Sequence, residues 1–526
     1  MRITLAVPLI ILFFVFGCEK DIPKPSATAD GNEGDTPFAK RDGNESDTLP
    51  KPESRGFGIN FGKEGDKIQI IIQSFLGNEK RNYYGENPPS KLDIIWKTFI
   101  GGSKTNMPVR NGGTNIHYGA GWTGQPLLIK EKNKLFLFQG SYDHNVRKID
   151  AETGEVIWKF DCGDAVKGTG SLWLNTKAKN ENEKLVLIQG SRQGVNVSLR
   201  AKDIFSLKGI SGTTGEELYR VNIENTPSAS RDVDGSALIY NDTAYIGLEN
   251  GIFLIFNPHP ESVSEINNHN EPEEIFKLKL YLQSDLAKHG GQIITESSPC
   301  RIGRMIYVAA GSGWVFGYDM DNKEITWQYY IGSDLNGSCV VTEDSCLLVP
   351  VEKQLIPGNG GMLKLDPFKE PENAAVWYFP TGNTSLNSWS GGIIGSPAVI
   401  DNYKSSGQKN LAAFSGIDGY VYVVDYISAE ENATVKGFDA KSDFRKPKLI
   451  FRYKIGSSIS TPLLFSNKLI AAGYGGIYLF EFNENYEFTL LDKFINTFEA
   501  TPIVYNDRVF IAAKDGYLYC LGEKKE

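Results

Sequence analysis

The sequence has no adjacent cysteine pair and no Cys-X-X-Cys motif. Its six cysteines (Cys18, Cys162, Cys300, Cys339, Cys346 and Cys520) are scattered, so they outline neither a zinc framework nor a dense disulfide scaffold. Five of them lie in or beside predicted strands and read as buried thiols. Histidine is as scarce: His117, His144, His259, His269 and His289 form no ligand pair and read as loop or surface residues. Positive charge is in deficit, with a net charge of −9, which argues against binding nucleic acid or an anionic membrane by bulk electrostatics. The N-terminal apolar run, Leu5 to Phe16, is too short for a comfortable membrane span. What is plentiful points to an all-β chain with a large core: 526 residues with 55 glycines, 24 tyrosines and 29 phenylalanines.

Arg2 and the apolar run ending in Val15-Phe16-Gly17-Cys18 resemble a bacterial lipoprotein signal, although Phe16 stands where a small residue is usual. The resemblance implies a signal over residues 1–17 and lipidation of Cys18; an uncleaved anchor and a plain secretory signal are the rival readings. Glu19, where an aspartate would signal retention, resembles outer-membrane sorting. The expected location is therefore the outer membrane, facing the periplasm or the cell surface, with the lipid as the sole membrane attachment. Residues 18–55 are rich in Pro, Asp, Glu, Asn, Gly, Ser and Thr and read as a disordered tether. Residues 56–92 read as an N-terminal extension with a preliminary strand in Lys67 to Phe75, and residues 93–526 as one repeat domain.

The repeat is visible in its punctuation. A small or polar residue, often followed by proline, opens an apolar strand at Gly124-Gln125-Pro126, Gly170-Ser171-Leu172, Gly235-Ser236-Ala237 and Ser297-Ser298-Pro299. It recurs at Gly337-Ser338-Cys339, Gly395-Ser396-Pro397, Ser460-Thr461-Pro462 and Ala500-Thr501-Pro502. Proline is tolerated there because the first residue of a strand need not donate to the ladder. Second and third strands follow, then a fourth carrying a large residue: Trp158, Tyr219, Leu278, Trp327, Trp377, Phe451 or Leu491. Four short strands at this period predict propeller blades, with Asn257 to Glu274 and Ser428 to Lys446 as solvated loop insertions. The eighth blade runs out of chain before its fourth strand, and Ile94 to Phe99, with Trp96, supplies the missing pattern. The expected fold is an eight-bladed β-propeller of four-stranded blades, closed by an N-terminal strand on the C-terminal blade, and monomeric.

The hairpin Asp150-Ala151-Glu152-Thr153-Gly154 with Trp158 explains why the blades would dock. Asp150 can accept from the turn's own N–H groups, Gly154 can take the left-handed conformation, and Trp158 needs a neighbouring surface. Ser211 to Gly215 with Tyr219, and Asp319 to Lys323 with Trp327, are weaker copies. Together they resemble the tryptophan-docking repeats of the quinoprotein-like (PQQ-like) propellers. That family includes quinone-dependent alcohol dehydrogenases and a non-catalytic lipoprotein subunit of the β-barrel assembly machinery, so fold alone does not choose a role. The catalytic branch implies vicinal cysteines against a quinone, a Ca²⁺ and an aspartate base. The vicinal pair is missing, and Asp232-Val233-Asp234-Gly235, whose oxygens suit Ca²⁺, also reads as a polar turn.

The sequence reading thus expects neither quinone nor Ca²⁺, and no catalytic or metal-ligating residues. It assigns recognition to loops on one propeller face. Loops leading into first strands carry Trp122, Trp173, Arg231, Asp232, Asp334, Asn336, Trp389 and Glu499; loops joining second to third strands add Asp143, Glu249, Trp314, Asp418 and Asp515. Aromatics among mixed polar groups suit protein or sugar recognition, and the expected partner is an envelope protein. The alternatives are a PQQ-dependent dehydrogenase and a polysaccharide-binding protein.

Overall fold

The computed structural model describes residues 68–104, 116–194 and 197–524. Cys18, the segments 1–17 and 18–55, and the start of the extension therefore lie outside the described residues. Eight antiparallel blade sheets, seven of four strands and one of five, are described, together with one short α-helix, Gln283–Lys288. Blade 1 is built from Leu127–Glu131, Lys134–Gly140, Asn145–Asp150 and Val156–Asp161. Blades 2 to 7 repeat the order, with inner strands starting at Ser171, Leu238, Cys300, Val340, Ala398 and Leu463. Blade 8 takes its three inner strands from Ile503–Tyr505, Arg508–Ala512 and Tyr517–Gly522, and its outer strand from Asp93–Phe99. Thr98 pairs with Leu518 and Phe99 with Tyr517, so the expected closure is realised.

The docking logic is local. Asp150 Oδ1 accepts from the N–H groups of Glu152 (2.9 Å) and Thr153 (3.1 Å), Thr153 Oγ1 accepts from Glu155 N–H, and Gly154 has φ +77°. A Cβ on Gly154 would lie 2.6 Å from the Trp96 ring, so this glycine is required by both its backbone and its neighbour. Trp96 Nε1 donates to Ala151 O at 3.1 Å, joining blade 8 to blade 1. Trp158 covers Gly215 of blade 2; Trp327 Nε1 donates to Lys369 O of blade 5, and Trp377 Nε1 to Tyr426 O of blade 6. Each outer strand carries a β-bulge one residue before its docking position. The bulge turns the side chain toward the next blade. It also shifts two assignments: Phe276 and Asp492, not Leu278 and Leu491, occupy the equivalent place in blades 3 and 7.

The recurrent Ser or Thr before each inner strand has a second purpose. Backbone N–H groups donate around the ring from blade to blade: Ser236 to Ser298 Oγ (2.9 Å), Ser298 to Ser338 Oγ (2.8 Å), Ser338 to Ser396 Oγ (2.9 Å), Ser396 to Thr461 Oγ1 (3.0 Å) and Thr461 to Thr501 Oγ1 (3.2 Å). Thr501 Oγ1 passes the belt to blade 1 by donating to Trp122 O. The hydroxyls thus satisfy buried amides that no strand reaches. Ser338→Ala leaves the Ser298 amide without its acceptor, and the expected cost is about 1–2 kcal/mol. It should appear as a lower urea midpoint at unchanged slope; an unchanged midpoint would show that the belt is not stabilising.

Two features differ from the sequence reading. The long insertions are hairpins, not open loops. Ser264–Ile266 pairs with His269–Glu271. The third and outer strands of blade 6, Tyr420–Lys436 and Asp443–Lys454, extend past the blade until Phe438 and Phe444 pack on Tyr378 of blade 5. The larger difference is residues 68–89, read as an extension outside the propeller. Ile68–Ile72 is a fifth, innermost strand of blade 1, antiparallel to Leu127–Glu131, and its alternate isoleucines Ile68, Ile70 and Ile72 are buried. The chain then visits the other blades in turn. Gln73 bonds Leu172, Phe75 bonds Ser236, Glu79 O accepts from Arg301 N–H, and Lys80 O from Val341 N–H. Tyr84 OH accepts from Val399 N–H, Tyr84 stacks edge-on against Phe465, and Tyr84 O accepts from Val504 N–H. Arg81, with 0% exposure, donates to Pro299 O, Ser74 Oγ, Phe75 O and Ser236 O. Its burial lowers its pKa to about 10. This strap fills the channel on the side of the tight turns between inner and second strands, ending where Asp507 N–H reaches Asn87 O.

Candidate functional site

With the strap on one side, the opposite face of the channel is the one formed by the loops in which the sequence placed recognition. That face, here the mouth, has an apolar half and a charged half. In the apolar half Trp122 meets Trp389 edge-on at 5.8 Å, over Ile394, Ile417, Ile459 and Leu386. Trp389 sits on a small loop held by reciprocal backbone bonds with Leu386, each 2.9 Å, and it is half-buried, whereas Trp122 is 6% exposed.

The charged half draws on blades 2 to 5. Lys167, on the loop into blade 2, ion-pairs with Asp234 and Glu296, and its ammonium lies 3.9 Å from the centre of the Trp122 ring. Arg192 pairs with Asp232 at 2.7 Å. Glu249 Oε2 accepts from Ser230 Oγ, and Glu352 Oε2 from Asn336 Nδ2, both at 2.6 Å; the other oxygen of each has no hydrogen-bond partner. Burial pushes the carboxyls of Glu249, Asp334 and Glu352 well up, aided by neighbouring acids, and that of Glu296 up to about 7. Asp234 goes the other way: burial raises it, but Lys167 and Arg192 outweigh burial and hold it low. Asp234, Glu249 and Glu296 bring one oxygen each within 4.8 Å of one another.

Of the residues singled out in the sequence, Trp122, Asp232, Glu249, Asp334, Asn336 and Trp389 thus meet around the mouth. Glu499 borders it, accepting from Tyr474 OH and pairing with Lys514 at 2.9 Å. Three others tie down their own blades: Asp143 to Arg147, Asp418 to Tyr422 OH and Asp515 to Tyr519 OH. Trp314 Nε1 donates to Asp285 at 3.0 Å beside the short helix. Arg231 is enclosed, donating to Ile223 O, Leu199 O and Ala201 O. Trp173 lies away from the mouth, bonded to Asp242 in a turn of blade 3 and packed on His259. Lys167, Arg192, Asp234, Glu296 and Glu352 were not singled out as members. Asp234 and Glu296 lie next to the repeat's punctuation, and that adjacency was the available signal.

A family model described as "Outer membrane protein assembly factor BamB" matches residues 104–262. Among solved structures, the quinohemoprotein alcohol dehydrogenase of Comamonas testosteroni superposes with a TM-score of 0.52 at 12% identity, covering 86% of this chain and 81% of that one. The shared feature is the eight-bladed propeller fold. A europium-containing methanol dehydrogenase gives a TM-score of 0.50 at 11% identity, covering 84% and 89%. BamB from Moraxella catarrhalis gives 0.48 at 10% identity, covering 82% of this chain and all of that one. At these identities the likeness is one of fold. No curated protein matches the sequence. Among the described residues no helix is long and apolar enough to cross a membrane.

Proposed function

We propose that this PQQ-like propeller is a non-enzymatic, lipid-anchored scaffold of the cell envelope that binds a protein partner with its mouth face. The supporting observation is the asymmetry of the channel. Residues 68–89 fill one side, whereas the other presents paired tryptophans beside a charged border. A half-buried aromatic ringed by polar groups is the usual anchor of a protein interface. The family model's description, an outer membrane assembly factor, agrees with this role and with the lipoprotein-like N-terminus. Quinone chemistry fits these residues poorly: the chain lacks vicinal cysteines, and Lys167 already ion-pairs with two of the three clustered carboxylates.

Trp389→Ala is expected to weaken capture of the envelope partner by about 30-fold, a hot-spot loss of roughly 2 kcal/mol, with no change in melting temperature. Glu261→Ala, far from the mouth on an insertion, should leave capture unchanged. Arg231→Ala should instead lower stability, because three carbonyls lose their donor. Added quinone with Ca²⁺ should neither raise the melting temperature nor support dye-coupled alcohol oxidation. Saturable quinone binding with turnover would replace the scaffold reading by the dehydrogenase.

A further inference from the structure

Three acidic oxygens within 4.8 Å of one another, on Asp234, Glu249 and Glu296, form a set of hard donors of the kind that holds Ca²⁺. A cation already stands among them. We propose that the Lys167 ammonium is the resident cation of the channel mouth: it takes the place a divalent metal would occupy and ties four consecutive blades together. Its contacts come from loops leading into blades 1, 3 and 4, namely the Trp122 ring, Asp234 and Glu296, while Lys167 itself belongs to the loop into blade 2. The side chain is 3% exposed, so exchange with solvent ions requires the mouth to open. A tethered ammonium also loses no translational freedom when it binds, which favours it over a free ion.

The cluster already faces two cations, Lys167 in direct ion-pair contact and Arg192 beside it, paired with Asp232. Lys167 neutralises Asp234 and shares Glu296, which leaves Glu249 Oε1 without a partner and its carboxyl favoured in the protonated form. A divalent ion would keep all three carboxylates ionised. Exchanging the ammonium for a neutral side chain should therefore open the cluster to a divalent ion, since Asp234 and Glu296 lose the partner that offsets their burial. Lys167 would thus let a propeller mouth lined with such acids do without a metal, whatever partner docks above it.

The test uses the full chain, Ca²⁺ and Tb³⁺, with Trp122 as the sensitiser of terbium emission. The parent protein should show no saturable terbium emission and no Ca²⁺-dependent change in melting temperature. Lys167→Met should gain both, with Ca²⁺ displacing Tb³⁺, and Lys167→Met with Glu249→Gln should lose them again. A Lys167→Met protein that folds only with Ca²⁺ present supports the proposal equally. It is overturned if the parent binds Tb³⁺ at a site abolished by Glu249→Gln, because the lysine then does not fill the site. It is also overturned if Lys167→Met folds normally without binding either ion, or stays unfolded with Ca²⁺ present. No partner enters this assay, so its failure is separate from failure of the scaffold reading.

Discussion

A chain shortened to begin at Lys91 is expected to lose roughly 10 °C or more in melting temperature, while one beginning at residue 56 melts with the full-length protein. The strap that the shorter chain lacks buries Ile70, Ile72, Phe75, Leu76 and Tyr84 almost completely. At about 1.5–3 kcal/mol per side chain the gross loss is on the order of 7–15 kcal/mol, as large as the net stability of most domains. Water entering the vacated channel would satisfy part of the exposed backbone, so the net loss is smaller, but it acts on every blade the strap touches. Gly85 shows how closely the strap fits: a Cβ there would lie 1.6 Å from Val504 O. Calorimetry of the two truncations decides the matter. Equal melting temperatures would mean that the strap is ornamental.

Trp96→Ala should cost about 3 kcal/mol, the lower end for a tryptophan because Trp96 is only half-buried. Its effect should also be kinetic. Trp158→Ala removes a contact between blades adjacent in sequence, whereas Trp96 holds the outer strand of the last blade against the first. Losing it weakens the one seam at which the ring can open, so unfolding should accelerate more in Trp96→Ala than in Trp158→Ala. Stopped-flow unfolding in urea measures this. Equal acceleration in the two variants would show that the closing seam has no special place in unfolding.

The ring was legible because its signals are local. A turn such as Asp150 to Gly154 needs an acceptor, a left-handed residue and an aromatic four residues on, and each blade with those residues announces itself. Even the closing strand, at the opposite end of the chain from its sheet, could be recognised because Trp96 repeats the pattern of Trp158. The strap had no such repeat. Ile68 to Ile72 reads as a strand, but nothing in its own residues says that its partner is the inner edge of blade 1. Arg81 carries no pattern that marks it as a core residue, yet it is fully buried, because its donors meet backbone carbonyls from blades 3 and 4 and from the strap itself. The serines and threonines of the repeat were seen as strand openings, while their hydroxyl belt needed the ring to be closed before it could be drawn. Lys167 and Glu296, 129 positions apart, meet only because the ring brings successive loops to one channel. Within the loops read as a recognition face, burial separates the half-buried Trp389 from Arg231, which is enclosed among backbone carbonyls.

The central claim is that one face of the ring binds and the other does not. It is tested most directly by site-specific photocrosslinking in the native envelope. A photoreactive residue would be placed at exposed mouth positions, Ser388 and Asp515, and at exposed turns on the strap side, Lys132 and Asn506. The account predicts one discrete protein adduct from Ser388 and Asp515 and none from Lys132 or Asn506. Adducts formed only from Lys132 and Asn506 would contradict it, because the partner would then lie on the face that the strap closes.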